Sequence, residues 1–278
     1  MKKILALVMA MMLAAAGAAA LAEVPSGVED GVLTVAMECT YAPYNWTQPD
    51  DSNGAVPISN NPGMYANGYD VMTAKAIAEA NGWQLEIVQQ EWESLIPAVQ
   101  AGMVDAVIAG QSMTKERMEE VDFAGPYLYA TIVCVTKKDS PNAAAKGISE
   151  LTGHATSQIS TVWYDECLPQ VKGAVIDTAK ESAPAMIVAL ESGVVDFICC
   201  DMPTAQGALQ ADTDHDLALL DFNGTEDNFA VSEEQINIGI SIRKGNTVLL
   251  DALNGYLKDK TEEDFNALMA EAIAIAPQ

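Results

Sequence analysis

The stretch "IAGQSMTKER", Ile108 to Arg117, concentrates groups that hold anions. Thr114 has the type and position of a helix N-cap, which puts Lys115, Glu116 and Arg117 in a first helical turn. Free backbone N–H groups and the positive end of the helix dipole favour an anion there. Ser112 adds a hydroxyl just before that turn, and Arg117 adds a planar fork that matches a carboxylate with two hydrogen bonds. On these ten residues alone, Arg117 reads first as an ordinary exposed charge, and the rest of the chain is needed to argue otherwise.

The other half of the chain offers a counterpart. Asp201 directly follows the apolar run "FICC", beside Met202-Pro203, so it projects from a strand end. A carboxylate there either holds an ammonium group or caps the helix expected over "MPTAQGAL", and the two roles are compatible. Ser160 and Thr161, in "SQISTVWYDE", place hydroxyls where a strand passes into a helix and can donate to the anion that Arg117 holds. Tyr41, Tyr44 and Trp46 crowd into "ECTYAPYNW", and Trp92 opens "WESLIP". Such faces sandwich an apolar side chain or attract a cation. Core packing is the ordinary alternative for each. Together these groups describe the electrostatic complement of a zwitterionic amino acid.

The elements that must position them alternate. "VLTVAM" (32–37), "QLEIVQ" (84–89) and "DAVIAG" (105–110) read as strands, with helices expected from Asp70 as N-cap to Asn81-Gly82 and near 92–101. This alternation argues for an α/β fold with largely parallel sheets. "AVQAGMVDAVIAG" (98–110) and "ALESGVVDFICCD" (189–201) echo one another: helix, Gly, Val-Asp, buried strand. One such unit falls in each half, and ligands gather at the carboxyl ends of strands in open α/β sheets. That points to Gly110, Gln111 and Ser112 in one half and Asp201 in the other. Residues 46–67, rich in Pro, Asn and Gly, read as a long loop or hairpin with a turn at Asn53-Gly54. A strand over 236–245 and helices near 246–259 and 261–274, the latter starting at Thr261, close the chain.

Bulk properties narrow the classes. The opening "MKKILALVMAMMLAAAGAAALA" reads as a secretory signal peptide (1–22) cleaved near Ala22. No Leu-x-x-Cys site follows, since the first cysteine is Cys39, so the mature chain is expected to be exported, extracytoplasmic and without a lipid anchor. Its size suits two lobes. Lys and Arg number 14 against 39 Asp and Glu, a formal charge of −25 that disfavours nucleic acid as a partner. Five cysteines leave at least one unpaired. Buried free thiols are the plainer reading, with a Cys167 pairing to Cys199 or Cys200 left open. No Cys-x-x-Cys supports a metal site, and neither "DTDHD" nor "DDSNG" has the glycine and glutamate that a calcium loop needs. No cofactor or metal is expected.

The run beginning "ANGYDVMTAKAIAEANG", with "EWESLIPAVQAGMVDAVIAG", "TKER", "VDFAGPY" and the later "ALESGVVDF", resembles the polar amino-acid substrate-binding proteins of ABC importers, solute-binding family 3. The resemblance spans essentially the whole mature chain and is most specific over 66–138. It implies a periplasmic-binding-protein-like (type II) fold: two α/β lobes joined by two crossover segments, closing on ligand like a hinged clamp. Lobe 1 would comprise 23–128 plus 237–278 and lobe 2 would comprise 132–230, with hinges near 129–131 and 231–236. By the same resemblance, Arg117 and Ser112 hold the ligand carboxylate, Asp201 holds the ammonium group, and Gly110 offers it a carbonyl. The family's second-lobe Gly-Thr falls on Ser160-Thr161, so Thr161 matches and Ser160 departs. Tyr41 and Trp92 cover the side chain. Glu38 stands where relatives that bind basic amino acids often carry an acid, which tilts the expected ligand towards a polar or basic one. Glu93 beside Trp92 can act likewise, or is simply an exposed charge. A membrane permease is the implied partner, and a monomer is expected.

An enzyme is the main alternative, since dehydratases acting on cyclic acids share the scaffold. Catalysis needs a placed acid or base. His154, in a Gly-flanked turn, and His215 are the only histidines, and neither falls in the proposed cleft. No Gly-x-Ser-x-Gly elbow is present.

Overall fold

The computed structural model describes Val28 and residues 30–277, apart from residue 215. The signal-peptide reading and His215 lie outside the described residues. Among the described residues no helix is long and apolar enough to cross a membrane.

The fold rests on two five-stranded sheets of the same design. In the first, β1 (Val32–Met37) pairs in parallel with β6 (Gln84–Gln89) and with the two-residue β7 (Ala106–Val107). β14 (Asn237–Arg243) runs antiparallel between β7 and β8 (Val121–Tyr129), giving the order β6-β1-β7-β14-β8. In the second, β10 (Gly153–Thr156) pairs in parallel with β11 (Ala174–Ile176) and β12 (Phe197–Asp201). β9 (Ile132–Lys137) runs antiparallel between β12 and β13 (Leu217–Leu220), giving β11-β10-β12-β9-β13. The antiparallel strand of each sheet is therefore the one that enters from the other. The chain leaves the first sheet at Tyr129 and enters the second at Ile132, then returns between Leu220 and Asn237.

The internal echo has a physical basis. In the first unit α2 (Leu95–Gln100) ends near Gly102 at φ 68°, and in the second α4 (Ala183–Glu191) ends near Gly193 at φ 72°. Each following Asp then clasps the start of the neighbouring parallel strand. The Asp105 carboxylate accepts from Thr34 N at 2.9 Å while its own N–H donates to Thr34 O. The Asp196 carboxylate accepts from His154 N at 2.7 Å while its N–H donates to His154 O. His154 is thus on strand β10 and not in a turn, because Asp196 draws its backbone into the sheet.

Three other expectations change. Helix α1 (Tyr69–Asn81) has Gly68, not Asp70, at its N-cap. Its leading N–H groups are met by the carbonyls of Pro43 and Tyr44, so no capping side chain is needed, and Asp70 turns inward. Residues 46–67 are not irregular. They build most of a four-stranded antiparallel sheet from β2 (Thr40–Tyr41), β3 (Asn45–Gln48), β5 (Tyr65–Asn67) and β4 (Val56–Pro57), with Asn53 at φ 55°. "DAVIAG" contributes only Ala106 and Val107 to the ladder. The remaining α-helices among the described residues are α3 (Lys115–Glu120), α5 (Met202–Ala211), α6 (Glu233–Ile236), α7 (Thr247–Leu257) and α8 (Glu262–Ile275). Thr261 caps α8 in a reciprocal pair with Asp264, as its spacing predicts. All five cysteines are buried free thiols.

Candidate functional site

The carboxyl ends of the two sheets meet, and side chains from both form the seam. Thr114 caps α3, its hydroxyl accepting from Arg117 N at 3.3 Å. The helix has only six residues, so its dipole is short and the guanidinium is the main positive charge. Arg117 Nη1 donates to Ser112 O at 2.9 Å, and Nη2 crosses the seam to Ser160 O at 2.7 Å. Its Cζ lies 5.3 Å from the Trp92 ring centroid. The side chain keeps some solvent exposure yet is crowded by protein, and this burial lowers the guanidinium to about 10, against the pull of Glu116, Glu93 and Asp165. It stays charged at neutral pH, and two of its five N–H bonds are used.

Among the described residues, three further hydrogen bonds cross the seam. Trp92 Nε1 donates to Ile159 O at 3.1 Å. The Tyr41 and Thr204 hydroxyls share a 2.7 Å bond, and Tyr44 OH donates to Asp201 Oδ2 at 2.7 Å. Tyr41 and Tyr44 stack, with centroids 4.7 Å apart. Gly110 lies under this pair: a Cβ there would come within 3.0 Å of Tyr41 Cε1, and its φ of 64° also favours glycine.

Asp201 satisfies one of its two readings directly. It caps α5, Oδ1 accepting from Thr204 N at 2.9 Å. Burial raises its carboxyl, and the bonds from Thr204 and Tyr44 hold it down. Asp70 sits deeper, accepting from Tyr127 OH and from Asn45 Nδ2, both at 2.7 Å, while Gly110 N donates to the same Tyr127 hydroxyl. Burial still pushes Asp70 up to about 7.

Six of the residues singled out in the sequence (Tyr41, Trp92, Gly110, Ser112, Arg117 and Thr161) line one void of about 10 Å³. That is room for about one water, so an amino acid enters only when the lobes part. Asp201 and Glu38 are buried outside this lining, Asp201 against Tyr44 and Glu38 beside Gln158. The Thr161 hydroxyl is turned into its own loop, donating to Gln158 O at 2.7 Å. Gln158 and Trp163 also line the void and were not singled out. Both flank Ser160, whose φ of 55° turns the chain back there, a bend that "SQISTVW" does not advertise because Ser occupies it. A larger groove of about 840 Å³ opens outward from Trp92, Arg117 and Thr161, with Glu93, Glu116, Asp165 and Glu166 along it.

Two lobes that exchange their antiparallel strands and meet over strand ends define the two-lobed architecture of substrate-binding proteins. Residues 33–271 match the model of the bacterial extracellular solute-binding proteins, family 3, and the chain belongs to that family. It is 25% identical over 260 residues to a probable histidine-binding protein of Neisseria gonorrhoeae, covering 91% of this chain and 87% of the relative. In fold it is similar to an amino-acid ABC transporter substrate-binding protein from Streptococcus pneumoniae bound to L-arginine, with TM-score 0.74 and 23% identity over 92% of this chain and 99% of that one. It is also similar to an ancestral amino-acid-binding protein that is a precursor of cyclohexadienyl dehydratase, with TM-score 0.69 and 27% identity over 88% and 97%.

Proposed function

We propose that this chain captures a free L-amino acid, polar or basic, between its lobes and delivers it to the permease of an ABC importer. The observation that carries this reading is the lining of the inner void. One charged fork, Arg117, shares that lining with Tyr41 and stands over the Trp92 ring, at a seam where four direct hydrogen bonds cross among the described residues.

In this reading the lobes span 23–128 plus 237–278 and 132–230, and the crossings near 129–131 and 231–236 act as hinges. Opening breaks the bonds from Arg117 to Ser160 and from Tyr44 to Asp201. Arg117 and Ser112 then take the ligand carboxylate, and Asp201 with the Gly110 carbonyl takes the ammonium group. Tyr41 and Trp92 cover the side chain, and Thr161 closes on the carboxylate from the second lobe, donating its hydroxyl once the bond to Gln158 is exchanged. Closure succeeds because each buried charge meets an opposite one. Export by a cleaved leader and action as a monomer complete the proposal. We read the chain as a binder and not as a dehydratase-type enzyme: His154 is spent on Asp177, 2.9 Å away and outside the cleft.

A thermal-shift screen of the twenty amino acids tests the reading. A ligand present at 100 times its Kd stabilises by about 2.7 kcal/mol, so at least one polar or basic amino acid should raise the Tm by several degrees. A flat response to all twenty contradicts it.

A further inference from the structure

Asp70 is the meeting point of two hydrogen-bonded relays that begin on backbone N–H groups of the first lobe's site loops. Asp70, Asn45 and Tyr127 are fully buried, and none of them lines the inner void. One relay starts at Cys39, just beyond β1: Cys39 N donates to Asn45 Oδ1 at 2.7 Å, and Asn45 Nδ2 donates to Asp70 Oδ2 at 2.7 Å. The other starts at Gly110, just beyond β7. Gly110 N donates to the Tyr127 hydroxyl at 3.1 Å, and that hydroxyl donates to Asp70 Oδ1 at 2.7 Å. β1 and β7 are parallel neighbours, so one carboxyl group serves two adjacent strand ends. The polarity of each relay is fixed from its outer end. A backbone N–H only donates, so Asn45 turns its oxygen to Cys39 and its amide nitrogen inward, and Tyr127 accepts from Gly110 and points its own proton inward. Two donors therefore converge on residue 70, and a carboxylate accepts from both. The loops need such support: Cys39 and Gly110 both hold left-handed backbone, at φ 57° and 64°, and Cys39 is not a glycine.

We propose that Asp70 is the positioning residue of the first lobe's binding surface, setting the loop that carries Tyr41 through Asn45 and the Gly110 backbone through Tyr127. This rests on the amino-acid reading above. Tyr41 and Gly110 both line the void, and contact groups held by a buried second layer lose affinity when that layer loosens. Exchange of isosteres separates the relays. In Asp70→Asn, an amide must turn its nitrogen to one of the two donors, so one relay breaks. Rotating the Asn45 amide does not help, because its nitrogen would then meet Cys39 N–H. In the double variant Asn45→Asp/Asp70→Asn every bond can form again. Position 45 accepts both from Cys39 N and from the amide at position 70, whose oxygen accepts from Tyr127.

Calorimetric titration with the tightest binder among the twenty standard amino acids, at a temperature well below each unfolding midpoint, tests the assignment. Asp70→Asn and Tyr127→Phe should each bind at least about tenfold more weakly than the wild type, and the double variant should return to within about threefold of it. Asp105→Ala serves as the control for stability alone. It loosens the opposite ends of β1 and β7 at Thr34, and should lower the unfolding midpoint while leaving affinity unchanged. Wild-type affinity in folded Asp70→Asn or Tyr127→Phe, no recovery in the double variant, or an equal loss of affinity in Asp105→Ala would each overturn the assignment. Tyr127→Phe keeps the ring and its packing, so it decides the matter if the variants at position 70 fail to fold. A wild-type protein that binds none of the twenty overturns the functional reading instead.

Discussion

Ser160 holds a backbone conformation that side chains resist. Its φ of 55° is in the left-handed region, and its carbonyl is the acceptor that Arg117 reaches across the seam. A non-glycine residue there costs about 1–2 kcal/mol, partly offset by the extra freedom glycine has when unfolded. Ser160→Gly should therefore stabilise the protein by roughly 0.5–1 kcal/mol in chemical denaturation while leaving the carbonyl in place. A loss of stability would mean that the hydroxyl matters more than the backbone. The case shows how far single residues can be read. Arg117, Trp92 and Tyr41 were legible because positive charge and aromatic area are scarce in this chain and these groups fall near strand ends. Gln158 and Trp163 were not, because their approach to the void depends on a glycine-like turn made by a serine. Asp201 was legible as a position, and its helix-capping role was the reading the geometry satisfied directly.

Among the elements, the repeated helix–Gly–Val-Asp–strand unit is the one most clearly written in the chain, and its purpose emerges only in three dimensions. The two aspartates pin parallel strands that are distant in sequence, Asp105 to Thr34 and Asp196 to His154. Asp105→Ala should cost about 1–3 kcal/mol, and Asp196→Ala should fall at the low end of that range because Asp196 is exposed. Urea denaturation of both variants checks this, and two unchanged midpoints would remove the clasp as a structural device. Strands with strong apolar runs, such as β1 and β14, were legible for the ordinary reason that burial on both faces leaves a continuous signature. The sheet built within 40–67 was not, because its strands are two to four residues long and one contains proline. The start of α1 was misread because backbone carbonyls of Pro43 and Tyr44 do the work usually given to a side chain.

For the molecule as a whole, the cleft stores acidity. Burial raises Glu38 to about 8 and Asp70 to about 7, and raises Asp201 as well. Folded, these groups hold protons more tightly than when unfolded, so their contribution is fully present below the ordinary carboxylate range. It is lost as pH climbs through 7 to 8. The urea midpoint should accordingly be higher near pH 5.5 than near pH 8.5, and Glu38→Gln should flatten the difference. A midpoint that rises with pH over this window would contradict the burial of these groups. The same arrangement explains why the two-lobed plan suits capture: closure is favourable when the guest brings charges that match those already enclosed.

The central claim is that Arg117 grips the carboxylate of a bound amino acid at the seam. Calorimetric titration of wild type and Arg117→Ala with the amino acid that gives the largest thermal shift tests it most directly. Leaving a buried carboxylate unpaired costs about 3–5 kcal/mol, so the variant should bind at least about 100-fold more weakly while its own unfolding temperature stays close to that of the wild type. Affinity within a few-fold of wild type in a folded Arg117→Ala protein would contradict the account.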